Sequence, residues 1–205
     1  MRVTNQDRAA GRRDEIIRAT IEVLADRGYS ATSFARIVEH AGMSSTRLVS
    51  YHFESREALM RATLEQVVAE AAAVMQPLMA QESTARGKLA AYIRGNLGFL
   101  AERPAHARAA VEIVANLPAS PELPGSGDTS VNLLVAHFST AQAAGEMRMF
   151  DPRVMAVTVR AAIDAAVVRA GHTDVDLSAW AEELVSTFDR AVAVEGRNDE
   201  RRCSS

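Results

Sequence analysis

The stretch SSTRLVSYHF, residues 44–53, crowds Ser44, Ser45, Thr46, Arg47, Ser50, Tyr51 and His52 around only three apolar side chains, Leu48, Val49 and Phe53. Short hydroxyls beside a guanidinium suit recognition by hydrogen bonding, not bond breaking. On a helix, the hydroxyls let the backbone approach a partner closely, and the apolar residues hold the helix from behind. The major groove of B-DNA accepts such a helix and presents a distinct donor and acceptor pattern at each base pair. Arg47 could fork onto a guanine, while Ser45, Thr46 and Ser50 could bond bases or phosphates. The plainer alternative is a short solvated helix with ordinary capping serines, because this geometry also occurs in proteins that bind no DNA.

Catalytic and metal chemistry find little support. His40, His52, His106, His137 and His172 form no i, i+4 pair and no HExxH cluster, so no metal site is expected. PGSGDTS contains a Gly-x-Gly, but it follows prolines instead of a strand and lacks a phosphate-loop Lys-Ser pair. Asp164 and Glu182 are isolated carboxylates, and no nucleophile lies at a telling distance from a base. The chain reads as a non-enzyme without a cofactor.

The elements that position the polar stretch are helical throughout. Ile16, Ile17, Thr20, Val23 and Leu24 recur at helical spacing from Arg12 onward, and Gly28 follows as a left-handed cap. Thr32 is placed as the N-cap of a second helix with Phe34, Ile37, Val38 and Ala41 on one face, ended by Gly42. Ser44 caps a short third helix that runs to about His52. Two compact helices around a glycine-containing turn have the spacing of a helix-turn-helix. Ser55 caps a fourth helix that Pro77 bends or ends near Met75 or Gln76. Further helices follow: one with Leu89, Tyr92, Ile93, Leu97 and Leu100 as its stripe, one over 104–117, and one from Asp128 or Thr129 to Ala144. Two long helices over 151–171 and 176–196 complete the series. LPASPELPGSGDTS is the main loop.

Composition fits this reading. Of 205 residues, 48% are hydrophobic and 5% aromatic, which favours an alanine-rich helical core. Residues 1–61 carry ten arginines against eight acids, whereas the remainder is net acidic, so the N-terminal part is the one suited to a polyanion. Lys88 is the only lysine, which makes arginine the default surface cation here. The single cysteine, Cys203, excludes a disulfide framework. No membrane-length apolar run and no signal-peptide pattern occurs, so a soluble, cytoplasmic setting is expected.

The segment DEIIRATIEVLADRGYSATSFARIVEHAGMSSTRLVSYHFESREALMRAT resembles the N-terminal domain of the tetracycline-repressor-like (TetR) transcription regulators. The A-DRGY-AT turn, the TSFARIVEHAGMS helix and turn, and the YHF-S-REAL run carry the likeness over about 50 residues. It departs in two places: the segment from turn to YHF has one residue more than the commonest pattern, and Arg36 stands where an acid is frequent. The resemblance implies an all-α fold, with a three-helix helix-turn-helix domain followed by a helical bundle for ligand binding and dimerisation. It also implies phosphate contacts from Thr32, Ser33 and Arg56, and an aromatic backbone contact from Tyr51 or His52.

The organisation expected is a flexible arm at 1–11, a DNA-binding domain at 12–58, a ligand and dimerisation domain at 59–196 and a disordered tail at 197–205. Met75, Tyr92, Asn96, Phe99, His137, Phe138 and Met147 are the candidate lining of an effector cavity. Ala162, Ile163, Ala166, Leu184, Val185 and Phe188 are the candidate dimer face, within alanine-rich stripes that also fit an intramolecular core. The expected partners are a palindromic double-stranded operator, an unidentified small-molecule effector and a second copy of the chain, with no membrane. The function expected is a ligand-released repressor. A ligand-sequestering or protein-interaction module is the alternative.

Overall fold

The computed structural model describes residues 5–117, 128–172 and 175–194. Among these, the elements are α1 (Asn5–Ala31), α2 (Phe34–His40), α3 (Thr46–His52), α4 (Arg56–Gln81), α5 (Ala85–Glu102), α6 (Pro104–Asn116), α7 (Asp128–Ala143), α8 (Pro152–His172) and α9 (Leu177–Val192), with no strand. The expected main loop at 118–127, the tail at 197–205 and Cys203 lie outside the described residues.

Chain punctuation follows glycines that only a left-handed backbone can use. Gly28, with φ 74° and ψ 172°, breaks α1 before Tyr29. Gly42, with φ 62°, closes α2, and the Met43 N–H reaches back to the Val38 carbonyl at 2.9 Å. Ile16, Ile17, Leu24, Ile37, Val49 and Leu59 are buried together, so α1 to α4 share one apolar centre. That centre holds α3 from behind through Val49 and Phe53. The core continues through Ile93, Leu97, Phe99, Ile113, Leu134 and Phe138.

Four expectations need correction. Residues 5–11 do not form an arm; they are the first turns of α1. Pro77 does not end α4, which continues to Gln81. Ala73 and Pro77 both face solvent, so the carbonyl deprived of its partner can be met by water. The N-cap of α2 is Ser33, whose hydroxyl accepts from the Arg36 N–H at 3.4 Å, not Thr32. Likewise Ser45, not Ser44, caps α3, accepting from the Arg47 N–H at 3.1 Å. Ser55 caps α4 as expected.

Candidate nucleic-acid interface and effector cavity

The outward face of α3 is Ser45, Thr46, Arg47, Ser50 and Tyr51, all exposed, with Tyr51 at 81%. Arg47 is exposed, and among the described residues no side chain or carbonyl pairs with its guanidinium. Ser50 donates to the Thr46 carbonyl at 3.3 Å, a local back-bond that a better acceptor can displace. Tyr51 and the half-buried His52 meet edge to face at 5.2 Å. The first turns of α1 lie alongside: Gly11, Arg12, Glu15, Leu48, Tyr51 and His52 border one groove. Arg12 was not among the sequence candidates, because its neighbourhood follows from the N-terminal extension of α1. Ser33 and Ser44 are exposed near this face.

Thr32 and Arg56 behave differently from expectation. Thr32 is 1% exposed, and its hydroxyl donates to the Gly28 carbonyl at 2.8 Å. It therefore serves the turn instead of offering a phosphate site. Arg56 donates from Nε to the Thr32 carbonyl at 2.9 Å and from Nη2 to the Tyr29 carbonyl, and its guanidinium lies 4.0 Å from the Tyr29 ring centre. It ties the start of α4 to the corner between α1 and α2. On the other side of that corner, the Tyr29 N–H donates to Glu112 Oε2 of α6 at 2.6 Å.

A cavity of about 250 Å³ opens among α4, α5, α6, α7 and α8. Met75, Tyr92, Asn96 and Phe99 line it, as expected. His137, Phe138 and Met147 do not. His137 donates from Nε2 to the Ala85 carbonyl at 3.0 Å, and burial chiefly lowers its pKa, opposed by that backbone bond. Phe138 packs edge-on against Phe150, and Met147 is core. Sequence reasoning missed Arg160 and Asp164 in this lining.

Arg160 has 17% of its side chain exposed and donates from Nε to Asp164 Oδ1 at 3.0 Å. Nη2 goes to the same oxygen, while Nη1 makes long contacts of 3.4 Å to the Tyr92 hydroxyl and 3.3 Å to Asn96 Oδ1. Burial pulls the Arg160 pKa down, but the Asp164 hydrogen bond and charge outweigh it, and the net shift is upward. The group stays a cation inside a mostly apolar lining. Asn96 is fixed by donating to the Tyr92 carbonyl at 2.8 Å and towards Met75 Sδ at 2.6 Å.

The model for bacterial regulatory proteins of the tetR family matches residues 16–63, which span the corner, the turn and α3 just described. The chain resembles this family in that segment. The α2–α3 pair falls inside the matched segment and has the arrangement of a helix-turn-helix. A curated relative is the HTH-type transcriptional regulator BetI of Pectobacterium carotovorum subsp. carotovorum (strain PC1), 29% identical over 87 residues. That match covers 42% of this chain and 44% of BetI, so the chain spans less than half the length of this relative. Likeness to solved structures covers more. A Rhodococcus sp. protein described as a TetR-family transcriptional regulator matches with TM-score 0.77 and 25% identity, over 88% of this chain and 98% of that one. A second, solved for the molecular basis of control of antibiotic production by bacterial hormones, matches with TM-score 0.75 and 26% identity, over 89% and 97%. The TetR-type fold extends through the cavity-bearing helices.

The dimer candidates divide. Ile163 and Ala166 are fully buried and Phe188 is 6% exposed within the single chain, so these three are intramolecular core. Ala162, Leu184 and Val185 are half-buried. The apolar residues that α8 leaves outside are instead Val154, Val157 and Val168, at 62%, 49% and 48% exposure. Among the described residues no group of His, Cys, Asp or Glu could hold a metal, and no helix is long and apolar enough to cross a membrane.

Proposed function

We propose that this chain is a ligand-responsive repressor that binds a palindromic operator as a homodimer and leaves it when a small molecule fills the cavity. The observation that carries the reading is the way two cavity-lining helices grip one residue beside the reading head. Leu64, Val67 and Met75 of α4 line the cavity, and Arg56 at the start of α4 holds the Tyr29 carbonyl. Ala110 and Val114 of α6 line it too, and Glu112 between them holds the Tyr29 N–H. A ligand that moves α4 relative to α6 therefore turns the α1–α2 corner, and with it α3.

In the DNA complex, Arg47, Ser45, Thr46 and Ser50 face base edges. Ser33, Ser44, Tyr51 and His52 face the backbone, with Arg12 beside them. Thr32 and Arg56 act from behind by fixing the corner. The dimer forms through the outer row of α8, where Val154, Val157, Ala161 and Val168 follow at steps of three, four and seven residues, assisted by Leu184 and Val185 of α9. Pairing sets two α3 helices about 34–36 Å apart, one turn of DNA. Release requires the ligand to favour the non-binding arrangement by a few kcal/mol.

Selection of bound duplexes from a random pool tests this, followed by operator affinity with and without ligand. The expected result is one enriched palindrome, bound less tightly as salt rises. A pool that stays random at low salt would refute it and leave the ligand-sequestering alternative.

A further inference from the structure

The cavity suggests the chemical class of its occupant, an inference that rests on the cavity being the effector site. Most of its lining is apolar, from Leu64, Val67, Val68, Phe99, Leu100 and Leu133. One cation interrupts that lining. Arg160 is 17% exposed, whereas the surface pairs Arg86–Asp189 and Arg94–Glu182 leave their arginines at 42% and 48%. A guanidinium this deep needs a counter-ion, and Asp164 supplies only one oxygen. Nε and Nη2 both converge on Asp164 Oδ1, an i, i+4 arrangement along one helix that leaves the fork unmatched. The remaining nitrogen, Nη1, has two neutral acceptors at 3.3 and 3.4 Å, beyond the usual hydrogen-bond range. Asp164 itself is 58% exposed, so turning it out into water costs little.

We propose that the cavity binds an apolar monocarboxylate, whose carboxylate takes the open fork of Arg160 and displaces Asp164, while its hydrocarbon body lies against α4 and α5. A planar carboxylate matches a guanidinium with two parallel bonds, where Asp164 uses one oxygen. The Tyr92 hydroxyl and Arg160 Nη1 flank the same head group, and Asn96 Oδ1 keeps the guanidinium in place. About 250 Å³ holds roughly eight water-sized units at ~30 Å³ each, the bulk of a medium-chain or phenylalkanoic acid. Exchange of one anion for another keeps the buried cation neutralised throughout.

Isothermal titration of the intact dimer with octanoate, 4-phenylbutanoate and methyl octanoate tests the assignment. The expected result is that at least one acid binds and that the ester binds about tenfold more weakly or not at all, the loss of a charge-assisted hydrogen bond. Octanoate alone or phenylbutanoate alone identifies an aliphatic or an aromatic source. Arg160→Gln should remove the preference for acid over ester, and Asp164→Asn should tighten acid binding several-fold by removing the competing anion. If Arg160→Gln does not fold, the acid and ester on the natural chain still decide. An ester that binds as well as its acid, no binding by either acid, or weakening by Asp164→Asn would overturn the proposal. Release from the operator by neutral compounds only would also overturn it while leaving the repressor reading intact. Acid binding without release would do the reverse.

Discussion

Removing the Glu112 carboxylate should separate effector binding from operator release. Glu112 Oε2 accepts the Tyr29 N–H at 2.6 Å, and it lies so near the corner that a Cβ on Gly28 would sit 3.2 Å from the same oxygen. A hydrogen bond to a charged group contributes about 1.5–3 kcal/mol. Glu112 is half-buried, which places this one near the lower end, about 1.5 kcal/mol per subunit. Allosteric coupling typically amounts to about 1–3 kcal/mol, so a single such bond is comparable with the whole signal. Glu112→Ala should therefore reduce the ratio of operator affinities without and with effector by about tenfold, since 1.4 kcal/mol is a factor of ten. Glu112→Gln, which keeps a neutral acceptor, should fall between. The assay is fluorescence anisotropy with the selected operator, paired with effector titration to confirm that cavity binding is unchanged. A few degrees' loss in melting temperature is also expected. If melting falls but the affinity ratio holds, Glu112 only supports the fold and the transmission argument fails.

Further outcomes follow from the same geometry. Arg47→Ala should flatten base preference with little change in melting temperature, because Arg47 is exposed and no partner among the described residues holds its guanidinium. Arg56→Ala should instead lower both stability and affinity for every duplex, since it unties Tyr29 and Thr32. Val157→Glu puts a charge on the outer row of α8, where Val157 is 49% exposed, and should give monomers in sedimentation and abolish operator binding. Gly95→Ala brings a Cβ to 2.8 Å from Met75 Cγ and 3.5 Å from Met75 Cα, which should cost about 1–3 kcal/mol in denaturant unfolding by pressing α4 away from α5. Hydrogen bonds from Arg94 and Arg86 lower the pKa values of Glu182 and Asp189. Their contribution is therefore present above the unfolded carboxylate values near ~4 and lost as pH falls through the lower folded values. Both pairs are surface-exposed, so urea midpoints of a Glu182→Gln/Asp189→Asn variant should lose only slightly less than the natural chain between pH 6 and 3.

Local signals were readable where one residue type alone can serve. Gly28 and Gly42 adopt positive φ, and a glycine after a periodic run leaves few other readings. The stripe from Ile16 to Leu24 is buried as its period requires. Neighbouring hydroxyls were less decisive. Thr32 and Ser33, like Ser44 and Ser45, can each cap, and tertiary packing chooses: Thr32 is drawn into the Gly28 turn and leaves Ser33 at the helix start. In α8 the alanines and valines occur on both sides, so periodicity gives a stripe without saying which side meets the chain's own core. The stripe with Ile163 and Ala166 turned inward, and Val154, Val157 and Val168 remained outside. Arg160 was hidden by composition, because in a chain with one lysine an arginine on a helix reads as solvated surface. Asp164 reads as an isolated carboxylate unless its i+4 spacing from Arg160 is noticed, and that spacing alone marks only an ordinary helix pair.

In the proposed mechanism, the corner at Tyr29 is what carries a small displacement in the cavity to α3. A residue held through only one of its backbone groups can follow its anchor and leave its neighbours unchanged. Tyr29 is held at its N–H by α6 and at its carbonyl by α4, and its ring lies against the same arginine that binds its carbonyl. If α4 and α6 move together, both anchors travel and the corner keeps its orientation. If they move apart, donor and acceptor are pulled in different directions, and either one bond breaks or the backbone beyond Gly28 rotates. The rotation is the easier response, because Gly28 already occupies a region of backbone space where glycine meets little steric resistance. Thr32 then carries the turn into α2 through its bond to the Gly28 carbonyl. A ligand is thus an effective releaser only when it changes the spacing of α4 and α6, and one that binds against α5 and α8 alone should occupy the cavity without effect.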